Sequence, residues 1–399
     1  MLSVIRTRRL RLARHAALAA FLTVCVAGAA AAAPPPPDPD PAPDPAGAPA
    51  GAAQTAGNGA AESPLVEFFR QTEVSGLVDA YFLWSVNGNT PQFRNFDVNH
   101  NTFSLNYGEI AFEKAATATS RAGFRFDFGA GDTADMVNSF EPGGTDYLKY
   151  VQQAYITYLA PIGSGLTIDI GKFVTPAGGE VIENKDNFNY SRGLLFSLAI
   201  PYYHSGARIG YAINDAVSVT GFILNGWNAV IDNNDAKTVG LSLATKPTAK
   251  LGLTANYLVG KESHPGEDST RNLIDIVASY AATDRLAVLA NFDYGRDSVE
   301  AVGVDWYGVA LGARYQVSDR VALAPRYEIF RDDEGFATGT VQTLQEVTLT
   351  AEFQAAPGLL TRFEFRTDFS NEDVFEKDGR FRSTQPTLGV AFIYSFGTK

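Results

Sequence analysis

The chain has 399 residues, is 45 % hydrophobic and 12 % aromatic, with 27 Phe, 17 Tyr and a single Cys, and carries a formal charge of −12. Such a length could hold two or three ordinary domains, but a β-barrel uses it as one. The acidic balance speaks against a nucleic-acid partner, and no apolar run after residue 33 approaches the ~20 residues of a membrane helix.

Residues 1–33 read as an export signal. Arg6, Arg8, Arg9, Arg11 and Arg14 precede an apolar core from Ala16 to Val26, and small residues suited to cleavage follow. Pro34 disfavours a cut directly after Ala33, so the expected site lies near Ala29 to Ala31. Loss of five arginines and no acid leaves 27 basic against 44 acidic residues, a charge of −17. The one cysteine, Cys25, lies inside the signal, and the mature chain therefore has no thiol, disulfide or cysteine metal site. Residues 34–64 form a Pro/Ala-rich stretch too low in complexity to bury a core, expected as a disordered linker on the periplasmic side. Residues 65–73, beginning LVEFFRQ, are expected as a short periplasmic helix at the barrel entrance, and residues 74–399 as the barrel itself.

From Val74 onward, sixteen segments of period two follow one another, beginning near Val74, Thr102, Ser120, Asp146, Gly165, His204, Val217, Ala236, Ala249, Arg271, Arg285, Val302, Arg320, Val341, Leu359 and Arg380. Short turns follow the even segments and longer polar loops the odd ones, which places both termini on the short-turn side. An even strand count with this asymmetry predicts an all-β fold: a transmembrane antiparallel β-barrel of sixteen strands in a bacterial outer membrane. FRFDF puts Phe124, Phe126 and Phe128 toward lipid and Arg125 and Asp127 inward, and RFEFRTDF repeats this with Phe363, Phe365 and Phe369 against Arg362, Glu364, Arg366 and Asp368. The same alternation turns Arg208, Arg314, Arg326 and Glu328 toward the lumen. The parity slips near Gly108 and Glu109, predicting a bulge, and Lys172 falls on the lipid phase.

The longest connection is the 30-residue stretch from Val174 to Tyr203. It mixes Glu180, Glu183, Lys185, Asp186 and Arg192 with Phe188, Tyr190, Phe196, Tyr202 and Tyr203, too aromatic for a solvated tip. Length and composition favour a loop folded into the barrel mouth over a surface loop with its own small core. In a ring of sixteen the wall opposite lies near the thirteenth and fourteenth strands, and two readings compete there: in one, loop acids face the inward arginines and set up a transverse field. The alternative is that Glu328, Glu346, Glu352, Glu364 and Asp368 pair with those arginines.

VSGLVDAYF (Val74–Phe82), QQAYITYLAP (Gln152–Pro161), GKFVTPAGGE (Gly171–Glu180) and NYSRGLLFSLAIPYYHSGARIGY (Asn189–Tyr211) together resemble the OmpL-like putative β-barrel porins. The resemblance implies an outer-membrane diffusion channel and carries no catalytic residues with it.

The other chemistry-bearing residues give no second function. His204 beside Ser205 would suggest a hydrolase, but neighbours on a strand face opposite sides and no third group orients them. NGWNAVIDNNDAK (Asn225–Lys237) and DDEGF (Asp332–Phe336) offer oxygen ligands for Ca²⁺, yet neither has EF-hand spacing and turn chemistry explains both. Trp84, Trp227 and Trp306 are candidate interface girdle residues, with strand packing an equal reading for Trp306. The sequence thus predicts a porin that passes small hydrophilic solutes or ions, without enzymatic activity, cofactor or metal. Outer-membrane lipid and the barrel-insertion machinery are its expected partners, and homo-oligomerisation is left open. The competing reading is a structural or adhesive barrel tied to peptidoglycan through residues 34–64.

Overall fold

The computed structural model describes residues 68, 70–139, 141, 146–262, 269–299 and 302–398. The expected signal and linker lie outside these residues. Strands form wherever the period-two pattern runs: β1 (Glu73–Ser85), β2 (Phe103–Lys114), β3 (Ala122–Ala130), β4 (Val151–Ala160), β5 (Leu166–Val174), β6 (Tyr203–Asn214), β7 (Val217–Leu224), β8 (Thr238–Thr248) and β9 (Leu251–Gly260). They continue as β10 (Arg271–Thr283), β11 (Leu286–Val299), β12 (Val302–Ser318), β13 (Val321–Asp332), β14 (Gln342–Ala356), β15 (Leu359–Ser370), β16 (Phe375–Lys377), β17 (Arg380–Arg382) and β18 (Thr384–Gly397). Sixteen of these close a barrel in which every strand is antiparallel to its sequence neighbour, and β18 pairs with both β15 and β1. Closure satisfies every strand edge, which a hydrocarbon surroundings requires.

Two expected strand starts shift by several residues, and one strand runs on into an expected loop. Asp146–Tyr150 is a 3₁₀ turn, so β4 starts at Val151. Arg380–Arg382 pairs with Phe375–Lys377 in a small hairpin of the last long loop, and the closing strand starts at Thr384. β11 and β12 pair as far as Val299 and Val302, absorbing most of the loop expected at Arg296–Ala301. All three segments carry local alternation that cannot tell a barrel strand from a loop hairpin or a strand extension.

The outward face is apolar: Phe363 and Phe365 are 57 % and 43 % exposed, whereas Arg362 and Arg366 on either side of them are 2 % and 1 % exposed. The parity slip in β2 is a bulge, because Asp79 pairs with Tyr107 and Ala80 with Leu105, leaving Asn106 unpaired and turning both Asn106 and Tyr107 inward. Lys172 does lie on the outward parity with Ile168 and Ile170, and the loop between β3 and β4 covers it. Its Nζ donates to Asn138 Oδ1 (2.9 Å) and to the carbonyls of Val151 (2.7 Å) and Leu148 (3.4 Å), 4.0 Å above the Tyr203 ring. At the short-turn end Phe68 stacks on outward-facing Phe124 at 5.9 Å, and residues 70 and 71 are helical. Trp84 is exposed on the outer face, but Trp306 is buried in the lumen with Trp227 packed on it at 6.3 Å, so these two are not girdle residues.

Candidate functional site

The connection between β5 and β6 folds into the lumen. Its aromatic and aliphatic residues need burial, and the inward faces of the strands together with two neighbouring loops supply an apolar ring at the long-loop end: Leu194, Leu195, Phe196, Ile200 and Tyr202 pack with Trp306, Phe330 and Leu344 of the wall and with Phe96 and Phe336 of the loops after β1 and β13. A one-turn helix, Leu194–Leu198, is wholly buried there. The Trp306 indole N–H donates to the Ala199 carbonyl at 3.0 Å.

A loop with little regular structure carries unpaired backbone N–H and C=O groups that burial would make costly. Charged side chains of the opposite wall satisfy them. Arg326 on β13 donates through Nη1 to Ser191 O (2.6 Å) and to Glu180 Oε1 (2.6 Å), and through Nε to Glu346 (2.8 Å). Arg362 on β15 donates to the carbonyls of Asn184 (2.6 Å), Asn187 (2.5 Å) and Asn189 (3.2 Å) while paired with Glu352 at 2.9 Å. Arg366 donates to the Arg192 carbonyl and pairs with Asp368 at 2.7 Å. Carboxylates take the loop's donors: Glu328 accepts the Leu195 N–H at 3.0 Å, and Glu364 accepts those of Tyr190 (2.6 Å) and Ser191 (3.0 Å). These are charge-assisted bonds in a dry setting, the strong kind.

The loop therefore crosses the lumen to β13–β15, but the arginines there do not face a row of loop acids. Only Glu180 meets one of them, and the remaining arginine donors go to loop carbonyls and to neighbouring carboxylates. Arg314 likewise pairs with Glu352 at 2.5 Å. Arg192 is a loop-building residue: 1 % exposed, it donates to the carbonyls of Val181 (2.9 Å), Tyr190 (2.7 Å) and Ile182 and lies over the rings of Phe96 and Phe196 at 5.0 and 5.5 Å. Burial lowers the affinity of its guanidinium for the proton.

The other flank of the loop is acidic. Glu183 and Lys185 approach β2 and β3, where Glu109, Glu113, Arg125 and Asp127 project inward, giving four acids against two bases, while Asp186 lines the cavity on the side of β10–β13. Arg125 pairs with Asp127 at 2.9 Å and with Glu113 at 3.1 Å, and Lys185 with Asp186 at 2.5 Å. Burial, with Asp127 nearby, pushes the Glu183 carboxyl up from the ordinary carboxylate range. Arg208 pairs with Asp169 at 2.7 Å and lies over Phe173 and Tyr155 on the adjoining wall. A cavity of about 210 Å³ separates the loop from β10–β13 and is lined by Glu180, Phe188, Asn291, Ala310 and Arg326, among others.

Two further anchors, on β1 and in the first long loop, are not among the residues singled out from the sequence. Asp79 on β1 accepts from Asn106 (2.8 Å), Tyr190 (3.1 Å) and Asn184, and Arg94 of the first long loop pairs with Asp368 at 2.9 Å and with Asp97. For Asp79 the signal was an acid on the inward parity of VSGLVDAYF; Arg94 stands in no periodic segment and gave none. His204 spends both ring nitrogens on packing contacts, Nδ1 with Gly226 O at 2.9 Å and Nε2 with Thr175 Oγ1 at 3.1 Å. The acids of the two suggested Ca²⁺ segments serve turns instead, Asp332 accepting from Thr338 and Asp232 pairing with Lys237.

A family model described as "Putative beta-barrel porin-2, OmpL-like" matches residues 71–396. Among solved structures, the fold is similar to an anion-selective porin from Comamonas acidovorans, at 10 % identity and TM-score 0.57 over 82 % of this chain and 99 % of that one. It is likewise similar to outer-membrane expressed OmpT of Vibrio cholerae, at 14 % identity and TM-score 0.55 over 82 % and 97 %, and to the outer membrane channel DcaP of Acinetobacter baumannii, at 10 % and 0.53 over 82 % and 97 %. No curated protein matches.

Proposed function

The chain belongs to the putative β-barrel porin-2, OmpL-like family, and from that premise we propose that it gives passive diffusion of small hydrophilic solutes or ions across the outer membrane, with a preference for cations. The observation that carries this reading is the unequal use of charge around the loop. Arg326, Arg362 and Arg366 are buried in loop anchoring, whereas Glu113 on β2 and Asp186 beside the cavity toward β10–β13 keep side-chain exposures of 47 % and 53 %, more than the 30 % and 36 % of their partners Arg125 and Lys185. Exposed fixed acids raise the local cation concentration in a narrow aqueous path. Export by residues 1–33 fits the same destination.

The test is a planar bilayer holding purified full-length protein. Stepwise conductance is expected, with a zero-current potential in a KCl gradient that favours K⁺. Glu113→Gln with Asp186→Asn should move that potential toward zero, and the difference should shrink as salt approaches ~1 M, where the screening length is ~3 Å. Absence of conductance from folded protein would remove the channel reading; conductance without cation preference would remove only the selectivity.

A further inference from the structure

Below the loop, Asp275 on β10 and Asp293 on β11 are directly opposed across the strand pair, both turned into the lumen and both 0 % exposed. Asn256 on β9 pairs with Asp275 on the other side, so one row crosses three strands. Asp275 is well served: Oδ1 accepts Asn256 Nδ2 at 2.6 Å and Oδ2 accepts Asn291 Nδ2 at 2.8 Å. Asp293 is less well served: neither of its oxygens meets a well-aligned donor among the described residues, with the Asp275 carboxyl and the Asn291 amide the polar groups beside it, and Asn256 Oδ1 has no partner either. No described Arg, Lys or His forms an ion pair with either carboxyl, and a further acid, Glu328, adds negative charge around Asp293.

Two carboxyls cannot sit opposed and dry without something positive between them. A shared proton would satisfy one acceptor of the three orphaned oxygens. A hard divalent cation satisfies all of them, and the amide bonds to Asp275 are the outer contacts that orient a ligating carboxylate. We propose that Asp275 and Asp293, with the side-chain oxygen of Asn256, bind a divalent cation of the Ca²⁺ class. Among the described residues no three His, Cys, Asp or Glu side chains converge as a metal cage, so this site is two acids and an amide, with water completing the shell. The loop closes over it: Asn256 Nδ2 also donates to Pro176 O at 2.9 Å, and the Asn291 side-chain oxygen accepts the Gly179 N–H at 2.9 Å. Asn291 also lines the cavity between loop and wall, which gives the ion a route in. The cation thereby ties three strands and the root of the lumen loop together, independently of what the barrel conducts.

Calorimetric titration of CaCl₂ into chelator-treated, folded full-length protein in detergent tests this. Wild type should show one saturable step that Asp293→Asn and Asp275→Asn lose. Both changes are nearly isosteric and remove like-charge repulsion, and heat-modifiable migration shows whether the barrel has folded. Asn291→Ala, which removes an outer hydrogen bond, should weaken the step roughly 10- to 100-fold. Ca²⁺ should raise the thermal midpoint of wild type and leave that of Asp293→Asn unmoved. Equal Ca²⁺ binding by wild type and Asp293→Asn would assign the step to exposed loop acids and overturn the proposal; so would no saturable step in folded wild type, which would leave a shared proton.

Discussion

A β-carbon placed on Gly193 would stand 1.7 Å from Oε1 of Glu328, the wall carboxylate whose other oxygen accepts the Leu195 N–H. Glu328 is 1 % exposed and has Arg326 3.6 Å away, so it has little freedom to swing aside. Gly193→Ala should therefore cost about 1–3 kcal/mol, the usual range for overpacking, and lower the midpoint of the heat-induced mobility shift. Glu328→Asp, one methylene shorter, should recover part of that loss in the double variant. Gly193→Ala as stable as wild type would show that the seat is loose.

Arg362→Met removes the donors to three loop carbonyls and one of two arginines on Glu352. Breaking a buried pair costs about 3–5 kcal/mol, and the lower end is expected because Arg314 stays on Glu352. Urea unfolding should show it, and Arg362→Lys should restore little, since an ammonium lacks the planar fork that reaches Asn184 and Asn187 together.

Replacing residues 176–201 by a short Gly-containing turn should enlarge single-channel conductance and leave the barrel heat-resistant, because the sixteen-strand ladder closes without the loop. Conductance equal to wild type would mean that the ion path avoids the loop altogether.

Lys172→Met leaves the carbonyls of Leu148 and Val151 without their amine donor, a loss of about 1–3 kcal/mol for buried polar groups. The loop between β3 and β4 should then be cut faster in limited proteolysis, with the barrel core intact. Unchanged cleavage would show that the amine does not hold the loop down.

The barrel was legible in the chain because its determinants are local. A period-two alternation such as FRFDF needs no knowledge of distant residues to say which face meets lipid, and turn lengths alone assign the two ends. The aromatic content of 174–203 likewise required burial, and the lumen was the apolar space at hand. The partners of that loop were not legible. Arg192 and Arg326 look alike in sequence, yet one folds back on its own loop and the other binds Ser191 from the far wall. Asp275 and Asp293 stand on consecutive strands, and their opposition follows from a register that is irregular between Ala281 and Thr283 at the turn. The sequence by itself determined the barrel class, its sidedness and which loop was long and aromatic enough to need burial, all set by short-range periodicity and chain length, while ring closure settled the strand count and sent that loop into the lumen. Only the tertiary structure decided which charges are consumed in anchoring and which remain in water, because that depends on ring closure bringing β13–β15 against a loop more than a hundred residues earlier in the chain.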